Sequence, residues 1–211
     1  MGRRMASRRR AEDQRGFQVP APRERGRVGA RRVTDLRRRP AVREQRRTVL
    51  IVTNGESTER AYFTGLKHDR ATHRVMVAVE RGSPLEVVRG AARRRDTDDV
   101  DEAWAVCDVD QYRTREADAE ASATQVRLVW SNPCFEIWLL LHHADCSGFV
   151  PNAAKASAKL ARHVRRWDKT ALDFDEFRDS VDDAVRRAKL LGEPPVANPS
   201  TAVWQVVEAL G

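Results

Sequence analysis

The stretch that decides the fold is Val49-Leu50-Ile51-Val52-Thr53-Asn54-Gly55-Glu56. Its apolar part has the length and the β-branched composition of a buried strand, and it ends in a glycine turn that presents a carboxylate. A second stretch repeats the pattern, because Ala103-Trp104-Ala105-Val106-Cys107 precedes Asp108-Val109-Asp110. Ligands of open parallel α/β sheets bind beyond the carboxyl ends of the strands. We therefore expect Glu56, Asp108 and Asp110 to converge, which indicates a bound divalent cation.

Strand and helix signals alternate along the chain from Thr48 onward. Strands are predicted over residues 48–53, 73–79, 102–108 and 125–130, with helices from Ser57 or Thr58 to about His68, from Pro84, over 116–123 and over 134–143. This alternation predicts an α/β fold with a mostly parallel sheet flanked by helices. After Gly148 the strand signals end, and helices are predicted over 152–166, 175–191 and 200–210. We expect an α/β core over 48–145 and a helical extension over 146–211 that packs on it.

The first 47 residues differ from the rest of the chain in charge. They hold 17 arginines and five acidic residues, a net charge of about +12, whereas the whole chain carries +8. The segment lacks apolar periodicity, so we predict a disordered Arg-rich tail over 1–47. Clustered arginine attracts nucleic-acid phosphates. The alternatives are a solubilising extension, translated sequence upstream of the true start, or a transit peptide, which would share this composition.

Two acids that follow the predicted strand at 102–108 have the spacing of metal ligands. In an extended chain Asp108 and Asp110 point the same way, while Val109 faces inward. Carboxylate oxygens suit Mg²⁺ or Mn²⁺, which complete their coordination with water and substrate phosphate. Glu56 would join them from the neighbouring strand. The metal ligands predicted from these patterns are therefore Glu56, Asp108 and Asp110.

Four further polar residues lie near the same predicted edge. Glu136, in the first turn of the helix at 134–143, is either a further catalytic acid or a complement to the helix dipole. Asn132 is either the cap of that helix or a substrate ligand. Arg60 is a candidate for binding phosphate and Glu59 for a supporting role beside the metal, although a solvated helix face would explain both equally well.

Other sites are less well supported by the sequence. Cysteine, histidine and aspartate residues between 134 and 146 have no spacing typical of a closed zinc site. There is no Walker-type phosphate loop, which argues against ATP hydrolysis by this chain alone. The longest apolar runs are far short of the ~20 residues that a membrane span needs. Three cysteines without a paired spacing indicate reduced thiols and a cytoplasmic protein.

The residues around these acids carry a resemblance to a known family. They are Ile51-Val52-Thr53-Asn54-Gly55-Glu56-Ser57-Thr58-Glu59 with Tyr62-Phe63, Asp108-Val109-Asp110, Ser131-Asn132-Pro133-Cys134-Phe135-Glu136-Ile137-Trp138-Leu139-Leu140-Leu141-His142, and Asn198-Pro199-Ser200-Thr201. Together they resemble the RloB-like family over about residues 48–211. Thr53-Asn54 departs from the Cys-Glu expected before Gly-Glu, so the number of metal ions stays open.

The resemblance implies a Toprim-like core and an association with bacterial restriction and phage-defence loci. It further implies a nuclease whose catalytic residues would be Glu56, Asp108, Asp110 and Glu136, with Mg²⁺ or Mn²⁺ as cofactor and DNA or RNA as substrate. A partner defence protein such as an ATPase is also implied. The alternative is a non-catalytic component of such a system that binds nucleic acid or a partner protein.

Overall fold

The computed structural model describes residues 47–109 and 113–211 of the chain. These residues form five strands: β1 (Thr48–Thr53), β2 (Arg74–Val79), β3 (Glu102–Asp108), β4 (Arg127–Asn132) and β5 (Ser200–Thr201). They also form seven α-helices: α1 (Thr58–Arg70), α2 (Pro84–Thr97), α3 (Thr114–Thr124), α4 (Glu136–His143), α5 (Ala153–Leu160), α6 (Val181–Lys189) and α7 (Val203–Leu210). Asp110 and nearly all of the predicted tail lie outside the described residues.

The strands form a single mixed sheet in the order β2-β1-β3-β4-β5. The first four strands are parallel, and β5 pairs antiparallel with β4. The predicted α/β class with a mostly parallel, helix-flanked sheet is therefore confirmed. Because β3 lies between β1 and β4, the carboxyl ends of these three strands are neighbours. No helix in the described residues is both long enough and apolar enough to cross a membrane.

The sheet is buried on both faces, and β1 shows how. Val49 and Ile51 belong to the hydrophobic cluster that contains α1, α4 and the helices after residue 146, whereas Leu50 and Val52 belong to the cluster that contains α2 and α3. Successive side chains of a strand point to opposite faces, so one apolar run serves both clusters. The boundary predicted between residues 145 and 146 stays a prediction, although the later helices share a core with the sheet.

The C-terminal part departs most from the sequence prediction. The segment 200–210, predicted as one helix, begins with strand β5, because the Ser200 and Thr201 backbone pairs with Asn132 and Ser131 of β4. The helix predicted over 152–166 ends at Leu160, and Arg166 has a left-handed φ of 62°. The helix predicted over 175–191 begins with two short 3₁₀ turns, Phe174–Glu176 and Arg178–Ser180, before α6.

Two helical glycines give a test of the packing of α1. A Cβ on Gly65 would lie 2.2 Å from Cγ and 2.4 Å from Cβ of Phe174, whereas a Cβ on Gly90 would meet only the flexible end of Glu80. Alanine normally favours a helix over glycine by about 1 kcal/mol, but overpacking a core costs about 1–3 kcal/mol. We expect Gly65→Ala to lower the free energy of unfolding by up to about 2 kcal/mol, as measured by urea denaturation. Gly90→Ala is the matched control, and an equal loss in both variants would contradict the argument.

Candidate active site

Asp108 is the last residue of β3, the strand at the centre of the three neighbouring carboxyl ends. The backbone N–H of Val109 donates to the carbonyl oxygen of Ser131 at 2.9 Å, so pairing with β4 continues past the aspartate. The backbone N–H of Phe135, just before α4, faces the Asp108 carboxylate and favours its charged form. The aspartate therefore lies between the end of β3 and the segment that leads into α4.

Glu59 reaches the same place from α1. It lies in the first turn of that helix and is 8% exposed. Helical side chains tilt toward the N-terminus of their helix, which here faces the carboxyl end of β1. Its carboxylate rests against Gly55, because a Cβ built on Gly55 would lie 1.6 Å from Oε2 of Glu59. The glycine in the turn after β1 therefore provides the space for a buried carboxylate.

Glu136 is the third carboxylate and the first residue of α4, and it is 5% exposed. Its Oε1 lies 3.9 Å from Nζ of Lys169, whose own side chain is 67% exposed. The hydroxyl of Thr58 donates to the carbonyl oxygen of Lys169 at 2.6 Å. This bond attaches the backbone of Lys169 to the start of α1, so that the lysine side chain begins near the carboxylates.

The electrostatics of the three acids show that they interact. Burial raises the pKa of Asp108 well above its usual range, and the carboxylates of Glu59 and Glu136 raise it further, while the Phe135 N–H and Lys169 oppose the shift. Burial likewise raises the pKa of Glu59, with a further contribution from Glu136. We call Glu59, Asp108 and Glu136 the carboxylate cluster. Lys169 lowers the pKa of both Asp108 and Glu59, but burial and the neighbouring carboxylates raise these values by more.

The two cysteines beside the cluster are poor nucleophiles. Burial raises the pKa of the Cys134 thiol, and Glu136 and Asp108 raise it further. Burial also raises the pKa of Cys107, with Asp108 and Glu59 adding to the effect. The thiolate is the reactive form of cysteine, so both side chains are expected to stay protonated and unreactive.

Glu56, the acid predicted to follow β1 as a metal ligand, is placed differently from Glu59. Its side chain is 52% exposed and forms an ion pair with Arg81, and the hydrogen bond from Arg81 lowers the pKa of Glu56. Arg60 lies with Glu56 and Arg81 along an open pocket at the carboxyl ends of β1 and β2. Of the predicted site residues in the described part, the structure brings Asp108 and Glu136 together and leaves Glu56 at the surface.

Asn132 does not cap α4, so that prediction is wrong. Its Nδ2 donates to the carbonyl oxygens of Pro195 and Ala197 at 2.8 and 2.9 Å, and its Oδ1 accepts from Asn198 at 3.2 Å. The helix begins at Glu136, after Phe135, without a side-chain cap. Asn132 joins the end of β4 to the loop before β5, and its role in substrate binding stays a prediction.

A sequence signal exists in part for Glu59, and there is none for Lys169. Glu59 was a candidate only for a supporting role, although a glycine four residues earlier marks a turn with room for its carboxylate. Lys169 approaches the cluster through a contact between residues 111 positions apart, Thr58 and Lys169. A local pattern in the sequence cannot indicate such a contact.

The donor set of the cluster can be compared with the needs of a divalent cation. Among residues 47–109 and 113–211, no three His, Cys, Asp or Glu side chains are grouped closely enough to hold a metal ion by themselves. Mg²⁺ typically binds one or two protein carboxylates and takes its other ligands from water and substrate. Hard oxygen donors with excess negative charge, such as Asp108 and Glu136, fit that requirement.

His142, one of the two histidines considered for zinc, has structural contacts instead. His142 is buried, with Nδ1 at 3.0 Å from the Trp138 carbonyl oxygen and Nε2 at 3.1 Å from the Tyr62 hydroxyl. A carbonyl oxygen only accepts, so Nδ1 carries the proton and Nε2 accepts from Tyr62. Burial lowers the pKa of His142 to about 3, so the ring is neutral at neutral pH. Both of its nitrogens are therefore used within the core.

Comparison with known protein families identifies the chain. The model of the family described as RloB-like protein matches residues 49–210. The chain belongs to the RloB-like family. The match includes β1 from Val49 onward, the other four strands and each member of the carboxylate cluster, so the site of this RloB-like protein lies within the matched region. Comparisons with curated proteins and with solved structures find no match.

Proposed function

We propose that this RloB-like protein is a metal-dependent nuclease whose active site is the carboxylate cluster. The observation that carries the proposal is the placement of Asp108 at the carboxyl end of the central strand, with the buried Glu59 of α1 and Glu136 of α4 close enough to raise its pKa. Carboxylates that repel one another in a partly buried site lower the stability of the metal-free protein. Strongly perturbed acids of this kind are typical of functional sites.

Different residues of the site would have different roles in phosphodiester hydrolysis. Asp108 and Glu136 are the first choices as metal ligands, with Glu59 beside them and the predicted ligands Asp110 and Glu56 as further candidates. A bound Mg²⁺ or Mn²⁺ would polarise the scissile phosphate and lower the pKa of the attacking water. Lys169, which is largely exposed next to Glu136, would contact a phosphate oxygen. A carboxylate that does not bind the metal can accept the proton of the attacking water.

The wider context of this activity belongs to the same proposal. A core of Toprim type and a role in bacterial phage defence, with DNA or RNA as substrate and a partner such as an ATPase, follow from the resemblance of the motifs. The three cysteines are free and buried, which supports a reducing cytoplasmic location. The second candidate function is a non-catalytic nucleic-acid- or partner-binding component. Lys169 favours it, because a cation that already lies beside Glu136 reduces the need for a metal ion.

The test combines cleavage and metal binding in the purified full-length protein. We expect cleavage of tRNA, single-stranded DNA or duplex DNA in Mg²⁺ or Mn²⁺ and none in EDTA. The melting temperature should also rise with metal concentration, because an ion that binds only the folded state stabilises it. Metal-induced stabilisation without cleavage of any substrate would favour the non-catalytic candidate. An unchanged melting temperature together with no cleavage would contradict the metal site itself.

A further inference from the structure

We propose that a basic ridge, formed by Lys155, Lys159, Arg162, Arg165 and Arg166, binds the phosphodiester backbone of a nucleic acid and leads it to the carboxylate cluster. The inference rests on the proposed function, because it names the surface that would hold the substrate of that site. It concerns the described domain and is independent of the Arg-rich tail.

The ridge holds positive charge that the described residues do not neutralise. Lys155, Arg162, Arg165 and Arg166 are exposed and Lys159 is half-buried. None of the five has a carboxylate of the described residues within 4.0 Å.

The arginines of α2 show the contrast with the ridge. Arg89 pairs with Glu120, and Arg93 and Arg94 both pair with Glu80. Charges that are already paired within the protein have less to gain from a phosphate. The unpaired cations of the ridge are therefore the better candidates for binding a polyanion.

The local geometry lines up three of the ridge residues. Ala156, Leu160 and Val164 are buried, and the backbone N–H of Val164 still bonds to the carbonyl oxygen of Leu160, so a helical turn extends past the end of α5. Lys155, Lys159 and Arg162 follow one another at spacings of four and three residues, which places them along one side of a helix. That side is turned away from the buried residues, so the three cations form a row at the surface.

Arg166, at the C-terminal end of the ridge, is close along the chain to Lys169 at the carboxylate cluster. Three peptide units separate Arg166 from Lys169, so their Cα atoms lie no more than about 11 Å apart. Lys169 contacts Glu136 and is held by Thr58. The indole N–H of Trp167 donates to the Ser157 hydroxyl at 2.7 Å, which fastens the turn back onto α5. A strand of nucleic acid on the ridge would therefore have its next phosphates near Lys169 and the cluster.

Charge complementarity favours a nucleic acid over a lipid surface. The chain beyond residue 47 is mildly acidic, with a net charge of about −4, and the carboxylate cluster itself would repel a polyanion. A local cationic surface is therefore needed to bring phosphates to it. Membrane-binding helices pair basic residues with large apolar ones. Among the described residues, the large apolar side chains that are exposed are Phe149, Leu190 and Val196, and none lies in the ridge.

Charge reversal on the ridge tests the proposal in the full-length protein. The variant is Arg162→Glu/Arg165→Glu, and the matched control is Lys67→Glu/Arg74→Glu. Lys67 is in the last turn of α1 and Arg74 begins β2, the edge strand at the other side of the sheet from β5. No described carboxylate lies within 4.0 Å of either cation. Both variants change the net charge equally and keep the tail. Binding of labelled tRNA, single-stranded DNA and duplex DNA is measured in EDTA at several salt concentrations, so that cleavage does not interfere.

We expect the ridge variant to lose at least about tenfold in affinity for at least one of these nucleic acids. The slope of log affinity against log salt should fall by the equivalent of about two phosphates. The control should change affinity by less than about threefold, as expected when it alters only the long-range charge. If the nuclease proposal holds, the ridge variant should also raise KM while kcat stays within about twofold, because it weakens binding that is equal in the ground and transition states.

The remaining outcomes would contradict either the ridge proposal or the nuclease proposal. Equal losses in both variants, or no loss in the ridge variant, would overturn the ridge. Ridge-dependent capture by vesicles of phosphatidylserine, with nucleic-acid binding unchanged, would overturn it in favour of a membrane surface. Ridge-dependent binding without cleavage by the wild type would uphold the ridge and reject the nuclease. If the glutamate variant melts at a lower temperature, Arg162→Gln/Arg165→Gln replaces it, with Lys67→Gln/Arg74→Gln as control and the same criteria.

Discussion

Asp108→Asn should abolish metal-dependent cleavage and at the same time stabilise the metal-free protein at neutral pH. The amide keeps the shape of the side chain and still offers an oxygen to the Phe135 N–H. It removes the charge that a metal ion would need. Loss of a residue that only supports a metal ligand typically costs 10–100-fold, so we expect a loss of at least about 100-fold in kcat for a ligand itself.

The expected gain in stability follows from the direction of the pKa shift. Because the folded state raises the pKa of Asp108, the folded protein keeps a proton at pH values where the unfolded chain has lost it. The stability of the wild type therefore falls as pH rises from the unfolded value of about 3.9 toward the folded pKa. Asparagine does not titrate. The excess stability of the variant should be absent below about pH 3.9, grow through that window and stay constant above it.

Denaturation in EDTA between acidic and neutral pH measures this effect, with cleavage assayed in parallel. Asp179→Asn is the matched control, because Asp179 is exposed and is not among the groups that shift the pKa of Asp108 or of Glu59. The Asp179→Asn variant should change neither the free energy of unfolding nor the rate of cleavage. Full cleavage by Asp108→Asn would remove this residue from the active site. A stability loss at every pH would show that the Asp108 charge is compensated in the folded protein.

Local sequence patterns predict the long strands of the sheet but not its short antiparallel strand. The strand over residues 102–108 was predicted with both ends correct, because its apolar run, buried on both faces, is followed directly by an acidic pair. Strand β5 was not predicted. Its two residues carry no periodicity, and it is a strand only because it pairs with β4, about 70 residues earlier. Short elements of this kind depend on the tertiary structure.

The same distinction applies to the candidate site. The sequence indicates which strand ends carry acids, and the order of the strands in the sheet then brings Asp108 and Glu136 together. The sequence does not indicate which of the two glutamates after β1, Glu56 or Glu59, points toward Asp108. Glu56 lies in the turn, where Arg81 is available from the end of β2. Glu59 lies in the first turn of α1, where helical geometry directs its side chain back toward the sheet.

We expect Glu59→Gln to impair cleavage far more than Glu56→Gln, which reverses the order that the sequence predicts. Glu59 is buried and acts on the pKa of Asp108, so the isosteric amide should lower kcat by at least about 100-fold if it binds the metal or takes a proton. Glu56 is half exposed and paired with Arg81. Its isosteric amide should lower kcat by less than about threefold, because a solvent-screened ion pair contributes little.

The stability of the two variants provides an independent measure. Burial and Glu136 raise the pKa of Glu59, so the folded protein binds a proton more tightly there than the unfolded chain does. Glu59→Gln should therefore melt at a higher temperature than the wild type in EDTA at neutral pH and lose this advantage below about pH 4.3, the unfolded pKa of glutamate. Glu56→Gln should show no such gain, because Arg81 lowers the pKa of Glu56. A large loss of cleavage in Glu56→Gln with full activity in Glu59→Gln would restore Glu56 as the acid that follows β1, and would require its side chain to leave Arg81 and turn toward Asp108 when metal and substrate bind.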